Sequence, residues 1–111
     1  MGHPNGIWDD DGRLVYNTFG TGELFTFDIS GNPISMPTPT NGGLDGLVKL
    51  KDGRFVVSSW EGSAIYVLDK DGNFDVLADS LDAPADMGLD TKRDRLLIPL
   101  FKQNKVVILT F

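Results

Sequence analysis

The chain has 111 residues, no cysteine, a formal net charge of −6 and an apolar share of 41%. This suits one domain with a modest core and excludes a disordered tail, a disulfide framework and thiolate-metal sites. The acidic balance argues against nucleic acid, because nothing here would neutralise a run of phosphates. No apolar run approaches membrane-spanning length and no charged-then-apolar leader opens the chain, so a soluble protein of undetermined compartment is expected, with no membrane partner.

Along the chain, short β-branched and aromatic runs alternate with Gly, Pro and Asp-Gly punctuation, which predicts strands rather than helices. A stretch at 3–13, His-Pro-Asn-Gly-Ile-Trp-Asp-Asp-Asp-Gly-Arg, holds two turn-type dipeptides, Asn5-Gly6 and Asp11-Gly12. The second separates two runs and reads as the hairpin turn between a first and a second strand. Leu24 to Asp28 follows as a third strand, and Ser30-Gly31-Asn32 turns into a fourth.

The pattern then starts again. Asp45-Gly46 precedes Leu47 to Leu50, Asp52-Gly53 makes the turn, and Arg54 to Trp60 is the second strand. Ala64 to Leu68, the Lys70-Asp71-Gly72-Asn73 turn and Phe74 to Ala78 complete it. A third round runs Ala85 to Leu89, Arg95 to Phe101 and Lys105 to Phe111, and stops before a fourth strand. The polar stretch Asp90 to Asp94 reads as the equivalent of the Asp-Gly turn. Arg13, Arg54 and Arg95 stand 41 residues apart, as do the third strands, so the repeat is about 41 residues.

Four short strands per repeat of this length is the arithmetic of a β-propeller blade. The expected fold is therefore all-β, one half-propeller of three blades covering 1–111, with repeats at approximately 4–40, 41–81 and 82–111 and the last blade lacking its outer strand. Three blades do not close a ring, and both ends would present apolar blade faces. Two copies would give six blades, so self-association as a two-fold homodimer is the leading expectation. The alternative is that the chain is the C-terminal piece of a longer propeller.

Asn5-Gly6 and Asp45-Gly46 lie one blade apart, where the chain enters the strand that lines a propeller's channel. Oxygen donors converging there suit a hard divalent cation. The plain alternative is a turn or capping role. Asp86 stands where the 41-residue shift from Asp45 falls, but Met87 replaces the Gly, and a side-chain-to-backbone hydrogen bond is the favoured reading. His3, the single histidine, lies two residues from Asn5 and is a candidate accessory base, although its place beside the chain start favours no role. Trp60 either walls a ligand pocket or packs between blades, the second being preferred. The Lys70–Asn73 turn does not fit a calcium loop, since Gly72 comes fourth from Asp69 where that loop needs its Gly sixth. The arginines at turns read as solvent-facing pairs of little energetic weight.

The segments His-Pro-Asn-Gly-Ile, then 42–69 with its Leu-Asp-Gly-Leu and Asp-Gly-Arg motifs, then 94–109, resemble the C-terminal half of the senescence marker protein/gluconolactonase (regucalcin-like) six-bladed propellers. The resemblance implies a divalent metal in the channel, calcium first with zinc, manganese or magnesium as alternatives, held in that family by one Glu, two Asn and one Asp. Asn5 matches the later Asn ligand, and Asp45 matches the Asp, which also serves as the proposed catalytic base. The Glu and the earlier Asn fall in blades absent from this chain. The implied activity is hydrolysis of a sugar lactone at a site completed by a homodimer or a longer chain. Two Asn5 and two Asp45 would then surround one axis. The competing expectation is a non-catalytic propeller fragment, acting as a self-assembling interaction or ligand-binding module.

Overall fold

The computed structural model describes residues 2–111. Eleven strands and no helix are found among them, in three antiparallel sheets. Blade 1 runs β1 (Pro4–Asp10), β2 (Arg13–Thr18), β3 (Leu24–Phe27), β4 (Pro33–Ser35), each strand bonded to the next. Blade 2 repeats the meander with β5 (Leu44–Lys49), β6 (Phe55–Ser59), β7 (Ala64–Leu68) and β8 (Phe74–Ala78). Blade 3 has β9 (Gly88–Asp90), β10 (Arg95–Leu100) and β11 (Lys105–Thr110), without a fourth strand, as expected. No helix among the described residues is long and apolar enough to cross a membrane.

The hairpin joining the first two strands differs in each blade. In blade 1, Asp10 pairs with Arg13 across Asp11 and Gly12. Both central residues have positive φ, 53° and 87°, the two-residue turn for which Asp-Gly is favoured. In blade 2, Leu50 donates its N–H to Arg54 O around residues 51–53, with Gly53 at φ 95°. In blade 3, Asp90 pairs with Arg95 around residues 91–94. The loop therefore grows from two to three to four residues, so first strands recur every 40 residues while the later strands recur every 41.

Packing follows from alternation, because successive strand side chains point to opposite sheet faces. Leu47, Phe55, Val57, Tyr66 and Leu68 of blade 2 pack against Val15 and Leu24 of blade 1. The other face, with Val48, Val56, Ile65 and Val67, packs on Leu96, Ile98 and Leu100 of blade 3. Every residue of β6 and β7 is buried, since blade 2 has a neighbour on both sides. Lys49 also pairs with Asp10 across the first junction, at 2.5 Å. The outward faces of blades 1 and 3 stay open: Ile7 is 63% exposed, and Val106 and Ile108 are 58% and 54% exposed. Asp28 and Asp69, 41 residues apart, accept backbone N–H groups from their own turns (Ser30 and Asn32; Asp71 and Asn73), which lowers both carboxyls. The second turn is thus satisfied without a cation.

Candidate functional site at the channel mouth

Each blade opens with the same local device. His3, Gly43 and Ala83 are left-handed, with φ of 59°, 64° and 48°. Their carbonyls accept the N–H groups of Phe19, Trp60 and Phe101 at 2.8, 2.9 and 3.0 Å, tying the strand entry to the end of the second strand. For His3 and Ala83 this conformation costs about 1 kcal/mol that glycine avoids. His3 thus holds a backbone place that Gly and Ala fill equally in the other blades, and its exposed ring lies over Gly20.

The next residues carry the chemistry. Pro4 pairs with Thr18, Leu44 with Ser59 and Pro84 with Leu100, after which each ladder slips by one residue. Asn5, Asp45 and Ala85 are therefore structural equivalents, as are Gly6, Gly46 and Asp86. This corrects the alignment by 41 residues, which set Asp86 opposite Asp45; the lengthening hairpin loop moved it by one.

The slip is a bulge, and it answers why a second dipeptide exists. A Cβ on Gly6 would stand 2.1 Å from Asp45 O, and one on Gly46 would stand 2.9 Å from Ala85 O. Neither glycine has a positive φ, so close approach of the next blade, not backbone freedom, requires them. The bulge N–H of Gly6 donates to Asn17 Oδ1 at 2.7 Å, and Asn17 Nδ2 donates to Asp45 O and Gly46 O at 3.0 and 3.3 Å. One blade later, Gly46 N–H donates to Ser58 Oγ at 2.7 Å, and Ser58 Oγ donates to Ala85 O at 2.9 Å. Asn17 and Ser58 are fully buried latches between consecutive blades. Sequence reasoning missed both, although they lie 41 residues apart.

With the backbone held this way, Asn5, Asp45, Asp86 and Trp60 meet at one end of the three blades. Trp60 Nε1 donates to Asp45 Oδ2 at 3.2 Å, and Asn5 Nδ2 donates to Leu44 O at 3.4 Å. Burial pushes the Asp45 carboxyl up; the Trp60 bond pulls down, the charge of Asp86 adds upward, and a hydrogen bond from Asn5 pulls down, leaving it raised. Asp86 acts on Asp45 by charge rather than through the backbone bond expected of it. Trp60 does pack between blades, edge-on to Phe19 at 5.4 Å and tilted against Phe101 at 5.3 Å. It does so at the mouth itself, beside the carboxylate. Phe19, Trp60 and Phe101 share the 41-residue spacing, a signal present in the sequence and not used.

The donors here are carboxylate and amide oxygens, the class that hard divalent cations take. Among the described residues no three His, Cys, Asp or Glu side chains form a metal cage. The donors fit such a cation in kind and fall short of its usual six to eight ligands in number.

The antiparallel meanders of four, four and three strands, packed face to face, define a run of blades from a β-propeller. Comparison with protein-family models and with curated protein sequences gives no match. Among solved structures, a catalytically inactive virginiamycin B lyase from Staphylococcus aureus, solved with quinupristin, superposes with a TM-score of 0.69 at 16% identity, over 98% of this chain and 41% of that one. A streptogramin B lyase gives a TM-score of 0.64 at 14% identity, over 95% of this chain and 39% of the other. The chain thus spans about two-fifths of the length of these structures, and the likeness is one of fold.

Proposed function

We propose that this chain supplies three blades of a gluconolactonase-like propeller whose channel mouth binds a divalent cation and a sugar lactone, completed by further blades from a second copy or from a longer chain. The observation that carries the reading is that Asp45 of blade 2 takes a hydrogen bond from Asn5 of blade 1 and feels the charge of Asp86 of blade 3, with its carboxyl raised. Asn5 and Asp45 are the ligands this chain would offer. A divalent cation bound there would polarise a lactone carbonyl and make water more acidic. Asp45, half-buried and with its carboxyl raised above the ordinary value, would serve as general base toward water at the mouth. Trp60 fixes the orientation of Asp45 through its indole N–H.

The test combines mass in solution, metal content after dialysis and hydrolysis of glucono-1,5-lactone. A dimer of about 24 kDa, twice 12.1 kDa, that loses metal and turnover on Asp45→Ala supports the reading. Retention of metal by Asp45→Ala in a dimeric sample overturns it. One observation favours a second reading, a propeller segment that binds without turnover: blade 3 carries Ala85 at the place of Asn5 and Asp45, so the ring of oxygen donors is already interrupted. A sample that assembles and holds no metal selects that reading.

A further inference from the structure

We propose that the channel mouth is a receptor site for an organic cation, an alkylammonium ligand held beside the exposed aromatic row of Phe19, Trp60 and Phe101 and the carboxylates of Asp45 and Asp86. The inference shares its location with the function proposed above, but it needs neither a metal nor turnover.

Four observations carry it. First, the three rings occupy one repeat position in consecutive blades and form a continuous row, with centroids 5.4 and 5.3 Å apart. Second, the row is open to solvent at both ends, Phe19 being 37% and Phe101 69% exposed, which is unusual for three apolar rings in contact. Third, the chain already presents a cation to this row: Lys102 Nζ sits 5.9 Å from the centroid of Trp60. An ammonium at that range is attracted by the negative face of the indole. Fourth, Asp45 and Asp86 are like charges near one another, and neither takes part in any of the five ion pairs found among the described residues.

Aromatic rings beside carboxylates that have no cationic partner are the chemistry that recognises ammonium groups. An anionic ligand would be repelled by the same carboxylates. A purely apolar one would leave their charge without a counterion. Lys102 acts as a resident stand-in that an incoming cation displaces from the ring.

The probe is choline, titrated in the presence of chelator and followed by the indole N–H resonance of Trp60. Its neutral isostere, 3,3-dimethylbutan-1-ol, has the same shape without the charge. Saturable binding of choline is expected, at least about tenfold tighter than the isostere. Phe101→Ala and Asp86→Asn, both at exposed positions, each weaken choline by about three- to fivefold. Lys102→Ala vacates the ring and tightens choline by about twofold or more. A lack of saturable binding, equal affinity for the isostere, or weaker binding by Lys102→Ala overturns the proposal. Because chelator is present throughout, failure of the metal reading leaves this result unaffected.

Discussion

Ser58 is the residue whose removal tests the blade-to-blade architecture most directly. It is fully buried, accepts the bulge N–H of Gly46 at 2.7 Å and donates to Ala85 O of the next blade at 2.9 Å. Ser58→Ala removes one oxygen and leaves almost no cavity, so packing loss is a small part of the effect. It leaves a buried donor without a partner, at about 1–3 kcal/mol, and removes one further hydrogen bond of about 0.5–1.5 kcal/mol. The expected loss is about 2–4 kcal/mol, or about 8–15 °C in Tm for a domain of this size. Urea unfolding with an unchanged slope measures the energy. Amide hydrogen exchange at Gly46 reports the site, where protection falls more than at neighbouring β6 amides. Ser35→Ala, on the exposed outer strand, serves as control and stays within about 0.5 kcal/mol. A Ser58→Ala loss no larger than that control would refute the latch.

Gly6→Ala forces a methyl to 2.1 Å from Asp45 O, against backbone that has no flexible side chain to move, and is expected to cost about 3 kcal/mol or more in urea unfolding. Gly88→Ala, whose Cβ meets nothing closer than 3.7 Å, is expected to be neutral to within about 0.5 kcal/mol. For Asp45, burial raises the folded carboxyl above its ordinary value of 3.8, so its ionisation opposes folding. Its favourable contribution is complete below the unfolded value and is lost as pH rises through the folded one. Asp45→Asn is therefore more stable than the parent at pH 7 in chelator, and the gap closes in acid; a gap that widens in acid would contradict the assignment.

The strands were legible because alternation and Asp-Gly punctuation are local. Phe55 to Ser59 and Ala64 to Leu68 need only their own residue types to become the buried centre of a blade. The repeat was legible because Arg13, Arg54 and Arg95 all follow the hairpin loop and share one spacing. The same spacing misplaced Asp86, since the loop before each of those arginines lengthens by one residue per blade. That change leaves the later strands 41 residues apart and sets the first strands 40 apart. Asn17 and Ser58 were invisible for another reason. Their meaning lies in backbone groups of the following blade, 28 and 27 residues away, and nothing local distinguishes them from an ordinary polar strand residue. Trp60 was readable as a packing residue, but Phe19 and Phe101 acquire significance only when the three second-strand ends are brought side by side.

The latches also bear on how a ring would close. Asn17 holds blade 1 to blade 2, and Ser58 holds blade 2 to blade 3. The same position in blade 3 is Pro99, paired with Val106 as Ser58 is with Ile65. A proline side chain neither accepts the bulge N–H nor donates to a following carbonyl. The neighbouring bulge position is Asp86, where Gly6 and Gly46 admit the next backbone to 2.1 and 2.9 Å from where a Cβ would stand. Whatever blade follows blade 3 must therefore stand further off at the channel than blades 2 and 3 stand from their predecessors. Blade 1, by contrast, offers an apolar groove of Ile7, Leu14, Tyr16 and Phe27, matching the blade 2 residues that are buried against blade 1. A two-fold ring would set blade 3 against blade 1 at both junctions between copies, and neither would have the polar latch that fixes the internal ones.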